Sequence, residues 1–321
     1  VTTDMESGSE LTVAARCVIN ATGPWVDALR LQDDPQAGSI IAPSQGVHIV
    51  LDRRFLPGDT AIMVPHTRDG RVMFAIPWHD HAVVGTTDTP VPRADLEPVP
   101  MEEEIDFILE TAAGYLTQPA TRGDILSAFA GIRPLVRAGD SQSTSALSRD
   151  HHIEISGSGM VTICGGKWTT YRHMAEDCVN QAATVADLPE RPCVTRTLNV
   201  HGFQHHSDQH GARAVYGSDA PHLAALEKDA PELASTLNDA LPYTGAEVAW
   251  ACRAEMARTL EDVLSRRTRA LLLNARAAVA SAPAAAAVMA RELGRDAEWQ
   301  REQVEKFTAL AANYTVTDRN G

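Results

Sequence analysis

The apolar run "MVTIC" at residues 160–164 passes through Gly165 and Gly166 into "KWTTYRHMAEDCVNQAATVA", and this stretch restricts the fold most. A short apolar run bounded by glycines reads as a buried strand. The segment after it has helical spacing, with Thr169 or Thr170 placed to cap it. A helix start carries free N–H groups and the positive end of the helix dipole, so a turn of this kind attracts an anion. Gly165 and Gly166 would let a flat ligand approach the main chain. Lys167 either adds a point charge to that turn or is a solvated lysine on a connection, and the local residues leave the two readings even.

The remaining segments set the organisation. Residues 1–23 read as a strand, a charged turn and a second strand, "AARCVINATG". With no initiator Met and no sheet to flank this hairpin, the chain is expected to be the C-terminal portion of something longer. Four alternating runs between residues 40 and 90, "GVHIVLD", "TAIMVPH", "RVMFAIPW" and "HAVVGTTD", suit an antiparallel meander. Residues 101–117 place Ile105, Ile108, Leu109, Ala112 and Leu116 on one helical face behind an acidic first turn, which predicts a helix lying on that sheet. Short strands return over 124–165. From about residue 196 a polar, His-rich linker leads to Ala, Leu, Arg and Glu at helical spacing, read as an all-helical domain. The class is therefore α+β, divided at 1–195 and 196–321.

Composition narrows the function. A chain of 321 residues with 44% hydrophobic content can bury one large core or two. Its net charge of −14, without a basic run, excludes a nucleic-acid backbone as partner. Five cysteines with no C-x-x-C pairing fit thiols in a reducing compartment, by default the cytoplasm. No stretch is apolar enough to span a membrane, and Pro283 interrupts the alanine-rich segment. Arg133 in "GIRPLV" and Arg149 in "SRDHHIEI" fork naturally onto a phosphate or carboxylate, or else form structural ion pairs. His48, in an apolar alternation, is a satisfied core residue or a general base. "VVGTTDT" suits a ligand edge or a turn. His201, His205, His206 and His210 lack the ligand spacing of a metal site, and no metal is expected.

In order, "VINATGPWVDAL", "GVHIVLD", "IPWHDHAVVGTTDTPV", "GIRPLV", "SRDHHIEI" and "VTICGGKWTTYRHMAED" resemble the FAD-dependent, quinone-linked glycerol-3-phosphate dehydrogenases. The tail through "RRTRALLLNARAA" looks like the helical C-terminal domain of that family. The resemblance implies an FAD-binding fold of the glutathione-reductase or D-amino-acid-oxidase type, with FAD-binding elements at 1–30 and 150–190 and a substrate-binding sheet at 40–149. It implies oxidation of sn-glycerol 3-phosphate to dihydroxyacetone phosphate, with a quinone as acceptor, peripheral membrane contact and a homodimer as accompanying expectations. Carried across by position, Gly23, Pro24, Gly165, Gly166, Lys167, Thr169 and Thr170 would approach the cofactor. His48, Arg133 and Lys167 would be catalytic, and Arg149 with Arg133 would hold the substrate phosphate. The family's N-terminal G-x-G-x-x-G has no counterpart here, so this portion alone is expected to bind FAD poorly. Two other readings stand: an amino-acid or hydroxy-acid oxidase, and a non-catalytic binding module that offers "RRTR" as a basic helical face.

Overall fold

The computed structural model describes residues 1–65, 67, 70–137 and 150–317. These form two compact units. One draws on Val1–Gln45, Thr89–Leu96 and Ile132–Leu198, the other on Gly46–Asp88, Glu97–Gly131 and Asn199–Gly321.

The N-terminal hairpin pairs β1 (Thr2–Thr3) with β2 (Glu10–Leu11) across a turn in which the Asp4 carboxylate accepts the Glu6 and Ser7 N–H groups. The second strand expected over "AARCVINATG" is confined to β3 (Ile19–Asn20), which leaves the hairpin and takes a different partner. A 3-10 turn at Gly23–Trp25 then leads into α1 (Val26–Asp33).

β4 (Ile41–Asp52) is followed by β5 (Ile62–Val64), β6 (Met73–Trp78), β7 (His81–Gly85) and β8 (Thr89–Pro90). The last three of the four expected strands form a meander, β5-β6-β7. The first departs from it: β4 lies against β7, with His48 opposite Gly85 and Asp52 opposite His81. The chain after β4 turns through Arg53–Phe55, where Phe55 is buried, and so reaches the far edge of the sheet.

Next come α2 (Glu102–Ala112) and β9 (Ile125–Val136), which pairs with β4. The acidic first turn of α2 acts as expected, with Glu104 accepting the Met101 N–H at 3.1 Å. Ile105, Ile108 and Ala112 pack against Ile49, Leu51, Val84 and Ile125. Ile49, Leu51, Val84, Ile108 and Ile125 are fully buried, and each such side chain stabilises by roughly 1.5–3 kcal/mol. The helix stops five residues before Thr117, although Leu116 remains buried on the same core.

β10 (His151–Ile155) and β11 (Val161–Gly165) complete a three-stranded sheet of order β10-β11-β3, antiparallel on one side and parallel on the other. β11 is buried on both faces, which is why its run is continuous rather than alternating. Val161 and Ile163 pack with Cys178 and Ala182 of α3 (Tyr171–Val185), while Cys164 packs with Val26 of α1. Buried Arg30 fixes α1 through both oxygens of Glu154 (2.9 and 3.1 Å) and through Asp27.

The remaining elements belong to the second unit: α4 (Ala220–Asp229), the hairpin of β12 (Thr236–Asn238) and β13 (Leu241–Thr244), α5 (Gly245–Ala254), α6 (Ala270–Leu273), α7 (Ala275–Leu293) and α8 (Ala297–Ala311). α7 continues through Pro283 and buries a row of alanines with Met289, so small side chains form its contact with α5 and α8. The His-rich stretch expected as a linker contains short helical turns over Ser207–Asp219, with His201 on Asp219 at 2.7 Å and His210 on Gln204 at 3.1 Å. No helix among the described residues is long and apolar enough to cross a membrane.

Candidate functional site

Two helix starts lie at the carboxyl ends of the neighbouring parallel strands β3 and β11. After β3 the turn Gly23–Pro24–Trp25 opens α1. After β11 the turn through Gly165, Gly166 and Lys167 opens Trp168–Thr170 and then α3. None of the four N-cap positions concerned, Thr22, Trp25, Lys167 and Thr170, supplies a side-chain cap. The expected threonine cap is therefore absent. Thr170 has φ −110° and ψ 7°, short of the extended conformation a cap adopts, and its hydroxyl donates back to the Lys167 carbonyl at 3.0 Å. The result is two helix starts, each following one of a pair of neighbouring parallel strands, whose first N–H groups no N-cap side chain satisfies.

The glycines divide by cause. Gly23 has φ +59° with no atom within 4 Å of the place a Cβ would occupy, so its conformation, not crowding, requires glycine. Gly165 and Gly166 also have positive φ, but a Cβ on Gly165 would lie 2.8 Å from Val136 Cγ2, and one on Gly166 2.6 Å from Met174 Sδ. At Gly165 positive φ and close packing both require glycine, whereas at Gly166 the positive φ decides, because the Met174 thioether is the end of a flexible side chain. Lys167 is exposed, and its ammonium has no ion pair among the described residues. Beside it Trp168 stacks on Tyr171, ring centroids 5.2 Å apart and 19° from parallel, leaving Trp168 84% exposed. Thr169 and Thr170 are exposed on the same turn.

Sequence reasoning missed the support under this turn. His151 stands opposite Gly165 in the strand register and bonds the Asp177 carboxylate at 2.9 Å, while His173 approaches the same carboxylate at 3.6 Å. The available signal was the i,i+4 spacing of His173 and Asp177 on one helix face.

The other sequence candidates are distributed. Arg133, on β9 of the first unit, is half-buried and donates to the Gln45 carbonyl at 3.3 Å. Arg149 lies outside the described residues. His48, on β4 in the second unit, is half-buried and stacks on Phe129, centroids 5.4 Å apart and 15° from parallel. Its ring occupies the space above Gly85, where a Cβ would lie 2.4 Å from His48 Cδ2. The adjoining "TTD" is structural: the Thr87 hydroxyl donates to Glu104 at 2.8 Å and accepts the Val47 N–H at 3.0 Å.

"RRTR" does not form a basic helical face. Asp262–Arg267 is a π turn in which Arg266 pairs with Glu261 and Asp262, and Arg267 donates to the Glu255 carbonyl. Thr268 is buried and donates to the Val263 carbonyl, and Arg269 is left-handed. Among the described residues, no group of three or more His, Cys, Asp or Glu side chains is placed to hold a metal ion.

With this geometry in view, the similarities are specific. A family model described as "FAD dependent oxidoreductase" matches residues 1–172, and one described as "C-terminal domain of alpha-glycerophosphate oxidase" matches residues 151–300. A probable mitochondrial glycerol-3-phosphate dehydrogenase of Caenorhabditis elegans is 41% identical over 94% of this chain and 45% of its own length. The mitochondrial glycerol-3-phosphate dehydrogenase of Homo sapiens is 40% identical over 99% and 48%. The crystal structure of the glycerol-3-phosphate dehydrogenase from Bacillus halodurans complexed with FAD superposes with a TM-score of 0.82 at 27% identity, covering 98% of this chain and 65% of that one. The chain spans about half the length of the curated relatives it matches.

Proposed function

This chain belongs to the FAD dependent oxidoreductase family, whose model covers more than half of it, and on that premise we propose that it forms part of an enzyme that oxidises sn-glycerol 3-phosphate to dihydroxyacetone phosphate. The observation that carries the reading is the pair of uncapped helix starts at the ends of β3 and β11, with Lys167 on one of them. Ligands of α/β sheets bind at the carboxyl ends of strands. The residues present suit the flavin end of FAD: N–H groups no N-cap side chain satisfies, an ammonium at Lys167 with no ion pair among the described residues, and open space over Gly23.

When bound, FAD supplies a two-electron acceptor for the carbinol hydrogen. The chain's own residues do the rest. The ammonium of Lys167 and the dipole at the α3 start favour negative charge that builds up during electron transfer, an effect exerted mainly in the transition state. His48, held by Phe129 and by the room above Gly85, takes the hydroxyl proton. Arg133 lowers the energy of the alkoxide, and Arg149 with Arg133 binds the phosphate by forked hydrogen bonds. Gly165 and Gly166 hold one turn with Thr169 and Thr170 beside them, and Gly23 with Pro24 forms the other. The family resemblance further implies a quinone as final acceptor, peripheral contact with a membrane and a homodimeric assembly.

The names of the relatives support glycerol 3-phosphate over an amino acid or another hydroxy acid. The test is anaerobic reduction of the flavin in the protein extended to the length of its relatives. Bleaching by sn-glycerol 3-phosphate and none by amino acids is expected, and the opposite pattern would replace this reading with an amino-acid oxidase.

A further inference from the structure

The second unit contains a cavity of about 730 Å³, within the range of small-molecule sites. Its walls come from the His79–His81 turn between β6 and β7, the 3-10 stretch around Tyr216, the β12–β13 hairpin and Arg267–Arg269. Along β7 this turn lies four residues from Gly85, the partner of His48, about 13 Å at the rise of a strand. None of the residues proposed above for alcohol oxidation lines it.

Three features mark it as built for a ligand. Backbone strain collects at its rim: His79, Asp80 and Arg269 are non-glycine residues with φ of +47°, +59° and +63°. Such conformations persist where surrounding structure holds them, and they concentrate at ligand sites. A π turn, itself frequent at functional sites, delivers Arg269 to the wall. Charge is the third feature. Of the cavity's guanidiniums, Arg213 is neutralised by Glu227, and Arg267 is spent on the Glu255 carbonyl. Arg269 is half-buried, and its guanidinium has neither a hydrogen bond nor an ion pair among the described residues. A guanidinium in that position lacks the counter-charge that removal from water demands.

We propose that this cavity binds a small organic anion, a phosphate monoester or a carboxylate, whose oxygens meet Arg269 and whose carbon skeleton lies toward Leu241 and Leu273. The wall also carries the carboxylates of Asp80, Asp239 and Glu247, and none forms an ion pair with Arg269 among the described residues. Glu247 is occupied by the Tyr216 hydroxyl at 2.9 Å and the Thr244 N–H at 2.8 Å, and burial raises its pKa. Burial and then Glu247 push Tyr243 up to about 12, against the opposing pull of Arg269, so its hydroxyl stays a hydrogen-bond donor. Burial, with Arg269 next, holds His79 below its ordinary value. With a net charge of −14 on the chain, a retained anion reports a local cationic recess rather than general attraction.

The test is ligand-observed NMR titration of the chain with methyl phosphate, acetate and, as the neutral control, methanol. Saturable binding of one or both anions but not methanol is expected, and which anion saturates identifies the class. Arg269→Gly removes the guanidinium at a position where glycine relieves the left-handed strain, so it is expected to melt no lower than the parent. It should weaken anion binding at least tenfold, about 1.4 kcal/mol. If it melts early, Arg269→Gln decides by the same criterion. Failure of both anions to saturate, or equal binding by the folded variant, overturns the proposal. Because Arg269 has no part in the proposed alcohol oxidation, either result leaves the flavin-reduction test separate.

Discussion

Replacing Gly85 with alanine isolates the fit of His48. The new Cβ would lie 2.4 Å from His48 Cδ2 and 2.9 Å from the Val47 carbonyl oxygen. Ordinary contact begins at 3.4 Å, so the imidazole must withdraw by 3.4 − 2.4, about 1 Å. The ring cannot do so freely, because Phe129 stacks on it, and the Val47 oxygen is main chain within a paired strand. Overpacking of this kind destabilises by about 1–3 kcal/mol. Gly85 does not have a positive φ, so the loss would come from the clash rather than from backbone strain. Urea unfolding of Gly85→Ala, His48→Ala and the double variant measures it. The double variant should recover part of the loss, giving a coupling energy of about 0.5–3 kcal/mol. In the extended enzyme, a 1 Å displacement of the candidate base predicts a rate loss on the order of 100-fold. A Gly85→Ala protein as stable as its parent, or a loss unaltered by removing the imidazole, would refute the reasoning.

Other outcomes follow from the same geometry. Thr87→Val leaves the buried Val47 N–H and one Glu104 oxygen without the Thr87 hydroxyl and should destabilise by about 1–3 kcal/mol in denaturant titration. Burial acts to raise the pKa of Asp27, but hydrogen bonds from Ser39, Ile40, Ile41 and Arg30 outweigh it and hold the carboxyl below its ordinary value. Its contribution is thus complete above the unfolded value of about 3.9 and disappears as pH falls through the lower folded value. Asp27→Asn should flatten acid unfolding in that window. Burial pushes Cys164 up to about 11 and also raises Cys178. Mass spectrometry after iodoacetamide treatment at pH 8 should therefore find half-buried Cys17 and Cys193 alkylated well before either.

What was legible in the sequence was local. The apolar stripe of α2 and the continuous run of β11 each declare their burial through spacing alone, and both form where expected. The pairing of β4 with β7 was not legible, because alternation marks a strand without naming its neighbour. Thr170 occupied the expected cap position, but its hydroxyl found the Lys167 carbonyl instead, a competition that sequence does not decide. "RRTR" looked like one charged face until a π turn sent its arginines to different partners. The cavity around Arg269 is assembled from four segments separated by up to about 190 residues, so no local motif could announce it. His48 and the glycine-lysine turn were singled out as candidates by residue type and order. The supports that set their geometry, Gly85, Phe129 and the His151–Asp177 pair, come from other segments.

The central claim is that the ammonium on the α3 turn faces the place where electrons arrive. Stopped-flow measurement of flavin bleaching by sn-glycerol 3-phosphate, comparing Lys167→Ala with the parent in the extended enzyme, tests it most directly. A rate constant at least tenfold lower, about 1.4 kcal/mol of barrier, with flavin still bound is the expected result. An unchanged rate constant would contradict the account.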